Sequence, residues 1–216
     1  MQRPRVLFAD DHRLLVEACT KLLEPECDVV GSVGDGRTLL LTARTLRPDV
    51  VVLDIGMPLL NGLDAGRQLK TMMPEVKLVF LTMNEDPDLT MEAFHIGASG
   101  YLLKSSAASE LSDAIRAAMV GKTYIGSRAA DGMVETDVEA DRRSMPTRLT
   151  LRQREVLQLL AEGYSMKEAA NILDVTPRTV AFHKYRIMEL FQVKSNAELY
   201  QFAVKQSLIP ASPRRQ

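Results

Sequence analysis

Cysteine and histidine are scarce in this chain. Among 216 residues there are two cysteines, Cys19 and Cys27, and three histidines, His12, His95 and His183. Two cysteines exclude a disulfide-built scaffold and fit packed, free thiols in a reducing compartment. The histidines have no neighbouring His or Cys at ligand spacing, so each reads as isolated and a His/Cys metal centre is excluded. No apolar run reaches the roughly 18 residues that a membrane-spanning helix needs. The N-terminus, Met1-Gln2-Arg3-Pro4-Arg5, leads into a strand without a signal-peptide core. Internal repeats and low-complexity tracts are absent. A cytoplasmic location is expected.

Charge is nearly balanced overall but not along the chain. Residues 1–124 carry 13 Lys and Arg against 17 Asp and Glu; residues 147–216 carry 11 against 6. An acidic front and a basic rear predict two modules, the second suited to a polyanion.

In the front module, four short Val/Leu-rich runs end in polar residues. Val6–Ala9 is followed by Asp10-Asp11, Val50–Leu53 by Asp54, Val76–Leu81 by Thr82, and Gly100–Leu103 by Lys104. Strands are expected near 5–9, 28–33, 49–54, 76–82 and 99–103, with helices near 12–24, 35–46, 62–72, 86–96 and 106–119. Such alternation predicts parallel βαβ units. In an open parallel sheet, functional groups gather beyond the carboxyl ends of the strands. One edge should therefore present three carboxylates, a hydroxyl and an ammonium. Mg2+ takes oxygen ligands, commonly one or two carboxylates with a phosphate. Asp54 is the natural nucleophile toward a phosphoryl group. Lys104 and Thr82 could each hold one of its oxygens.

The string Leu53-Asp54-Ile55-Gly56-Met57-Pro58-Leu59-Leu60-Asn61-Gly62 closely resembles the phosphorylation loop of two-component receiver domains. Asp10-Asp11, Leu81-Thr82 and Tyr101-Leu102-Leu103-Lys104 match that family's other motifs in order and spacing, over about residues 4–122. The resemblance implies an α/β, flavodoxin-like (βα)5 receiver with strand order 2-1-3-4-5. It implies that Asp54 accepts a phosphoryl group from a sensor histidine kinase. Mg2+ would sit at Asp10, Asp11, Asp54 and the Gly56 carbonyl, and Thr82 with Tyr101 would form the switch, Tyr101 rotating inward. Ser105 stands where many receivers have a cis-proline, so the Lys104–Ser105 bond is expected to be trans.

Residues 125–146 are charged and poor in large apolar groups, and read as a linker with room for some helix. The rear reads as four helices, one opened by Thr150 with Gln153, another by Ser165 with Glu168, and a third by Thr176 with Pro177. Leu149–Leu157, Ala161-Glu162-Gly163, Lys167–Ala170, Thr179-Val180, His183 and Ala197-Glu198-Leu199 resemble a LuxR-type helix-turn-helix over residues 147–210. With the receiver, this is similar to a NarL/FixJ-type response regulator. Candidate contacts to double-stranded DNA are Thr176, Arg178, Thr179, Phe182, Lys184, Tyr185 and Arg186. Ala181, Glu189 and Leu190 depart from the family's basic pattern. Leu199, Phe202 and Ala203 on the last helix form the expected dimer face, although part of that stripe must also close the small domain, and residues 211–216 form a disordered tail.

The domains are thus 1–124, a 125–146 linker, and 147–210. The function expected is a phosphorylation-controlled transcription regulator, not an enzyme. Its rivals are an aspartyl-phosphate phosphatase and a signalling adaptor whose helical module binds protein. Such a phosphatase usually has a second acid two residues past its nucleophile; this chain has Gly56 there.

Overall fold

The computed structural model describes residues 3–133 and 149–210. The chain divides into two units, Met1–Val138 and Glu139–Gln216. In the first, strands β1 (Arg5–Ala9), β2 (Asp28–Val33), β3 (Val50–Asp54), β4 (Lys77–Thr82), β5 (Gly100–Leu103) and β6 (Tyr124–Ile125) form one parallel sheet. Its order is β2-β1-β3-β4-β5-β6, which is the expected order extended by one strand. Helices α1 (Arg13–Leu23), α2 (Gly36–Leu46), α3 (Gly62–Met72), α4 (Pro87–Ile96), α5 (Ala107–Met119) and α6 (Ser127–Met133) complete this unit.

The strands alternate sides as a pleat demands. Val6, Phe8, Val50, Val52, Val79 and Leu81 pack with Val16, Cys19 and Leu23 of α1 and with Leu111, Ala114 and Ile115 of α5. Leu7, Ala9, Val51, Leu53, Leu78 and Phe80 pack on the other face with α2, α3 and α4. All five residues of β3 are buried, as expected for a central strand covered on both faces.

Loops carry their own stop signals. Asp35, Asn61 and Asp86 accept hydrogen bonds from backbone N–H groups in the first turns of α2, α3 and α4. At Gly62 the chain passes so close to β3 that a Cβ would lie 2.1 Å from the Asp54 carbonyl oxygen. This approach positions the turn after the phosphoacceptor candidate. No described residue has a cis peptide bond, so Lys104–Ser105 is trans as expected.

The first part of the expected linker is ordered. Residues 124–125 form β6 and residues 127–133 form α6. Gly126 N donates to Tyr101 O at 2.9 Å, and Ser127 Oγ donates to Glu110 Oε1 at 2.6 Å. Ala129 is buried in the same cluster as Leu89, Ala93 and Tyr101. A short strand and a single small apolar residue suffice to dock this arm. Residues 134–148 and the expected tail at 211–216 lie outside the described residues.

The second unit contains α7 (Leu151–Ala161), α8 (Met166–Leu173), α9 (Pro177–Leu190) and α10 (Asn196–Lys205). The capping boxes expected at Thr150/Gln153 and Ser165/Glu168 are both formed. Thr176 Oγ1 accepts from Thr179 N at the start of α9. Leu157, Ile187, Leu199, Ala203 and Leu208 make the core. No helix among the described residues is long and apolar enough to cross a membrane.

Candidate functional site

The strand ends of the first unit bring the acids together. The side chains of Asp10 and Asp54 are 3% and 6% exposed. Lys104, at the end of β5, reaches between them: Nζ lies 2.7 Å from Asp10 Oδ2 and 3.0 Å from Asp54 Oδ2. Asp10 Oδ2 is buried with no hydrogen-bond partner and is balanced through that ion pair. Donor atoms of Asp10, Asp11, His12 and Asp54 all lie within 4.8 Å of one another. Four such atoms fit around one divalent cation. A groove of about 490 Å³, lined in part by Asp10, Asp11, Arg13, Ser32 and Gly34, opens beside them.

Burial pushes the Asp54 carboxyl above its ordinary range; Lys104 pulls it down, Asp10 pushes it up, and the Gly56 N–H draws it down again. Gly56 N donates to Asp54 Oδ1 at 3.1 Å, which places Gly56 next to the acid. The loop that follows is tightly wound. Leu59 has a left-handed φ of 65°, and Gly62 N donates to Ile55 O at 2.9 Å. A non-glycine residue held in that region costs about 1 kcal/mol or more and needs surrounding structure to persist.

Thr82 is buried at the end of β4, and its Oγ1 accepts from Asn84 N at 3.0 Å. Tyr101 is 1% exposed, so its ring already lies inside. Its hydroxyl faces those of Thr90 and Thr82 without hydrogen-bond geometry. Burial raises its pKa to about 12.

His12 corrects the sequence reading, which took it as isolated. Its Nδ1 lies 2.9 Å from Asp10 Oδ1, 3.1 Å from Asp11 Oδ1 and 3.2 Å from Lys104 Nζ. The usable signal was adjacency: a histidine directly after two strand-end acids can fold back over them.

Comparisons with known proteins agree with this geometry. Residues 6–116 match the family model described as response regulator receiver domain, and residues 147–203 match bacterial regulatory proteins, luxR family. The chain is 33% identical over 216 residues to the oxygen regulatory protein NreC of Staphylococcus epidermidis, covering 95% of this chain and 99% of that one. It is 30% identical over 209 residues to the response regulator UvrY of Escherichia coli, covering 95% and 96%. This chain belongs to the response regulators. Among solved structures, it is similar to the RcsB response regulator of Salmonella typhimurium at 25% identity and a TM-score of 0.65, over 95% of this chain and 98% of that one. A second RcsB structure, of two dimers bound to two parallel DNAs, matches at 26% identity and a TM-score of 0.60 over 94% and 100%. A receiver joined to a LuxR-type helix-turn-helix is the NarL/FixJ-type arrangement.

In the rear module of this response regulator, α9 presents an exposed face that carries most of the candidate DNA contacts. Phe182 and Tyr185 are 65% and 60% exposed, and Thr176, Arg178 and Arg186 are also exposed. Thr179 and Lys184 are half-buried. Two of the cations have protein partners: Lys184 Nζ donates to Asn196 Oδ1 at 2.9 Å, and Arg186 pairs with Glu189 at 2.8 Å. Thr176 and Thr179 share a hydroxyl contact at 2.9 Å in the helix cap. Burial, and secondarily Arg152, lower the His183 pKa, which favours a neutral ring.

Part of the expected dimer face is covered within the module itself. Leu199 and Ala203 are 3% and 0% exposed, inside the module's own core, and Phe202 packs against Phe191 with ring centroids 4.5 Å apart. Four short helices supply few apolar residues, so Leu199 and Ala203 close the fold, while Phe202 stays half-buried.

Proposed function

We propose that this response regulator takes a phosphoryl group on Asp54 from a sensor histidine kinase and thereby controls DNA binding by its rear module. The observation that carries this reading is Asp54 itself: nearly buried, with Lys104 Nζ at 3.0 Å and the other acids within reach of one ion. An Asp54 carboxylate oxygen would attack phosphorus. The P–N bond of the phosphohistidine would break, and the imidazole would leave with its electron pair and take up a proton.

Mg2+ would be held by Asp10, Asp11, Asp54 and the Gly56 carbonyl. Bound there, it neutralises charge between nucleophile and incoming phosphate. The residues fit that role, since buried Asp10 Oδ2 otherwise relies on Lys104 alone. Lys104 and Thr82 would then hold phosphoryl oxygens, and Lys104 must yield one of its two carboxylates to do so. The shift at Thr82 would reach Tyr101, its neighbour in the core. Tyr101 lies in one cluster with Ala129 of α6, the helix through which the chain leaves the receiver. A change there biases the two-state equilibrium on which the reader depends.

The rear module would read duplex DNA with Thr176, Arg178, Thr179, Phe182, Lys184, Tyr185 and Arg186. Exposed Phe182 suits a thymine methyl, and the cations suit phosphates or guanine. The RcsB structure with dimers on DNA supports a homodimer on DNA here too. The surroundings would be cytoplasmic, and no turnover reaction is assigned. Two measurements test the reading. Asp54→Asn should abolish labelling by a small phosphodonor, and persistent labelling defeats the site. Duplex binding should weaken steeply with added salt; a salt-independent partner would favour the adaptor.

A further inference from the structure

The cation cradle contains a donor that neither the sequence pattern nor the acidic pocket accounts for. His12 is tied by its own backbone, whose N–H donates to Asp10 Oδ1 at 2.9 Å. This short turn swings the ring back over the acids. The inward atom is Nδ1, 2.9 Å from Asp10 Oδ1 and 3.1 Å from Asp11 Oδ1. In an octahedron with ligands at about 2.1 Å, adjacent donors are about 3.0 Å apart. The two observed separations, direct polar contacts here, equal that spacing, so the ring already stands where a neighbouring ligand on one ion would stand.

We infer that His12, through Nδ1, is a ligand of the cation in this cradle and moves its selectivity from Mg2+ toward Mn2+, Co2+ and Ni2+. This rests on the cradle reading above and adds to it. Three carboxylates alone make a hard oxygen site, which suits Mg2+. A neutral imidazole nitrogen favours later first-row ions, following the Irving–Williams order. The charge arrangement fits. Nδ1 already sits at a point where two carboxylates converge, and Lys104 Nζ stands 3.2 Å away as the positive group an entering ion would replace. The side chain is 58% exposed, so the ring has room to adjust and its replacement leaves the core untouched.

The test uses the full-length protein and Mn2+ alone, with no phosphodonor. Pulsed electron-spin spectroscopy of bound Mn2+ should show 14N coupling from an imidazole. The coupling should vanish in His12→Gln and persist in His95→Gln. Calorimetric titrations with Co2+ and with Mg2+ should give an affinity ratio that falls about tenfold in His12→Gln, chiefly through weaker Co2+ binding. Bound Mn2+ without nitrogen coupling, or an unchanged Co2+ to Mg2+ ratio, overturns the role of His12 and leaves the acidic cradle standing. Failure of Mn2+ to bind at all overturns both.

Discussion

Replacing Lys104 by alanine should make the stability of the receiver depend on a divalent cation. The Lys104 side chain is 4% exposed and lies between carboxylates that are 3% and 6% exposed. Removing one partner of a buried ion pair typically costs about 3–5 kcal/mol. The geometry gives a similar figure: two carboxylates with oxygens within 4.8 Å of each other, at an effective dielectric constant of about 20, repel by about 3 kcal/mol or more. Hydrogen exchange at the amides of Val51, Val52 and Leu53 provides the assay, because buried central-strand amides report the largest opening free energies. In chelator, Lys104→Ala should lower their protection by roughly a hundredfold to several thousandfold, with 1.36 kcal/mol per decade. Mg2+ at one hundred times its Kd should return about 2.7 kcal/mol. The parent protein should gain less, because its own ammonium competes for the site. Protection within threefold of the parent in chelator, or no response to Mg2+ in the variant, would refute the electrostatic account.

Three further outcomes are expected. Tyr101, with a pKa of about 12, should be the last tyrosine to ionise in an ultraviolet titration. The folded state keeps a proton that the unfolded chain releases near pH 10, so stability present below pH 10 falls between about pH 10 and 12, by up to about 2.7 kcal/mol from this residue, and Tyr101→Phe should remove that slope. Gly62→Ala places a Cβ 2.1 Å from the Asp54 carbonyl oxygen and should lower the urea midpoint, at a cost of about 3 kcal/mol or more, while reducing phosphodonor labelling; an unchanged midpoint would disprove the close approach. Glu110→Ala removes the acceptor of Ser127 Oγ and should cut protection of the Ala130 amide, bonded to Gly126 O, about tenfold; equal protection would show that the arm is held by other contacts.

Much of the site was legible because it follows from chain direction. Parallel strands end on one edge, so Asp10, Asp54, Thr82 and Lys104 had to meet there once the strands were read from their Val/Leu runs. The capping boxes at Thr150 and Ser165 were equally local. His12 was not legible, because its inward turn depends on a backbone hydrogen bond to Asp10 that residue spacing does not encode. The docking of the arm at 124–133 escaped for another reason: a two-residue strand has no period to detect, and Ala129 is too small to mark a buried face. Leu199 and Ala203 show a third limit. A helical apolar stripe reveals that a face is covered, and only the packed module shows that these two residues serve its own core.

The docked arm also decides where this protein can be cut and rejoined. A graft made at residue 124, after the last of five βα repeats, would strip Ala129 from beside Tyr101 and hand the new reader a receiver with an uncovered flank. The exchangeable cassette is the receiver together with its trailing helix, and a working chimera should place its seam beyond Met133.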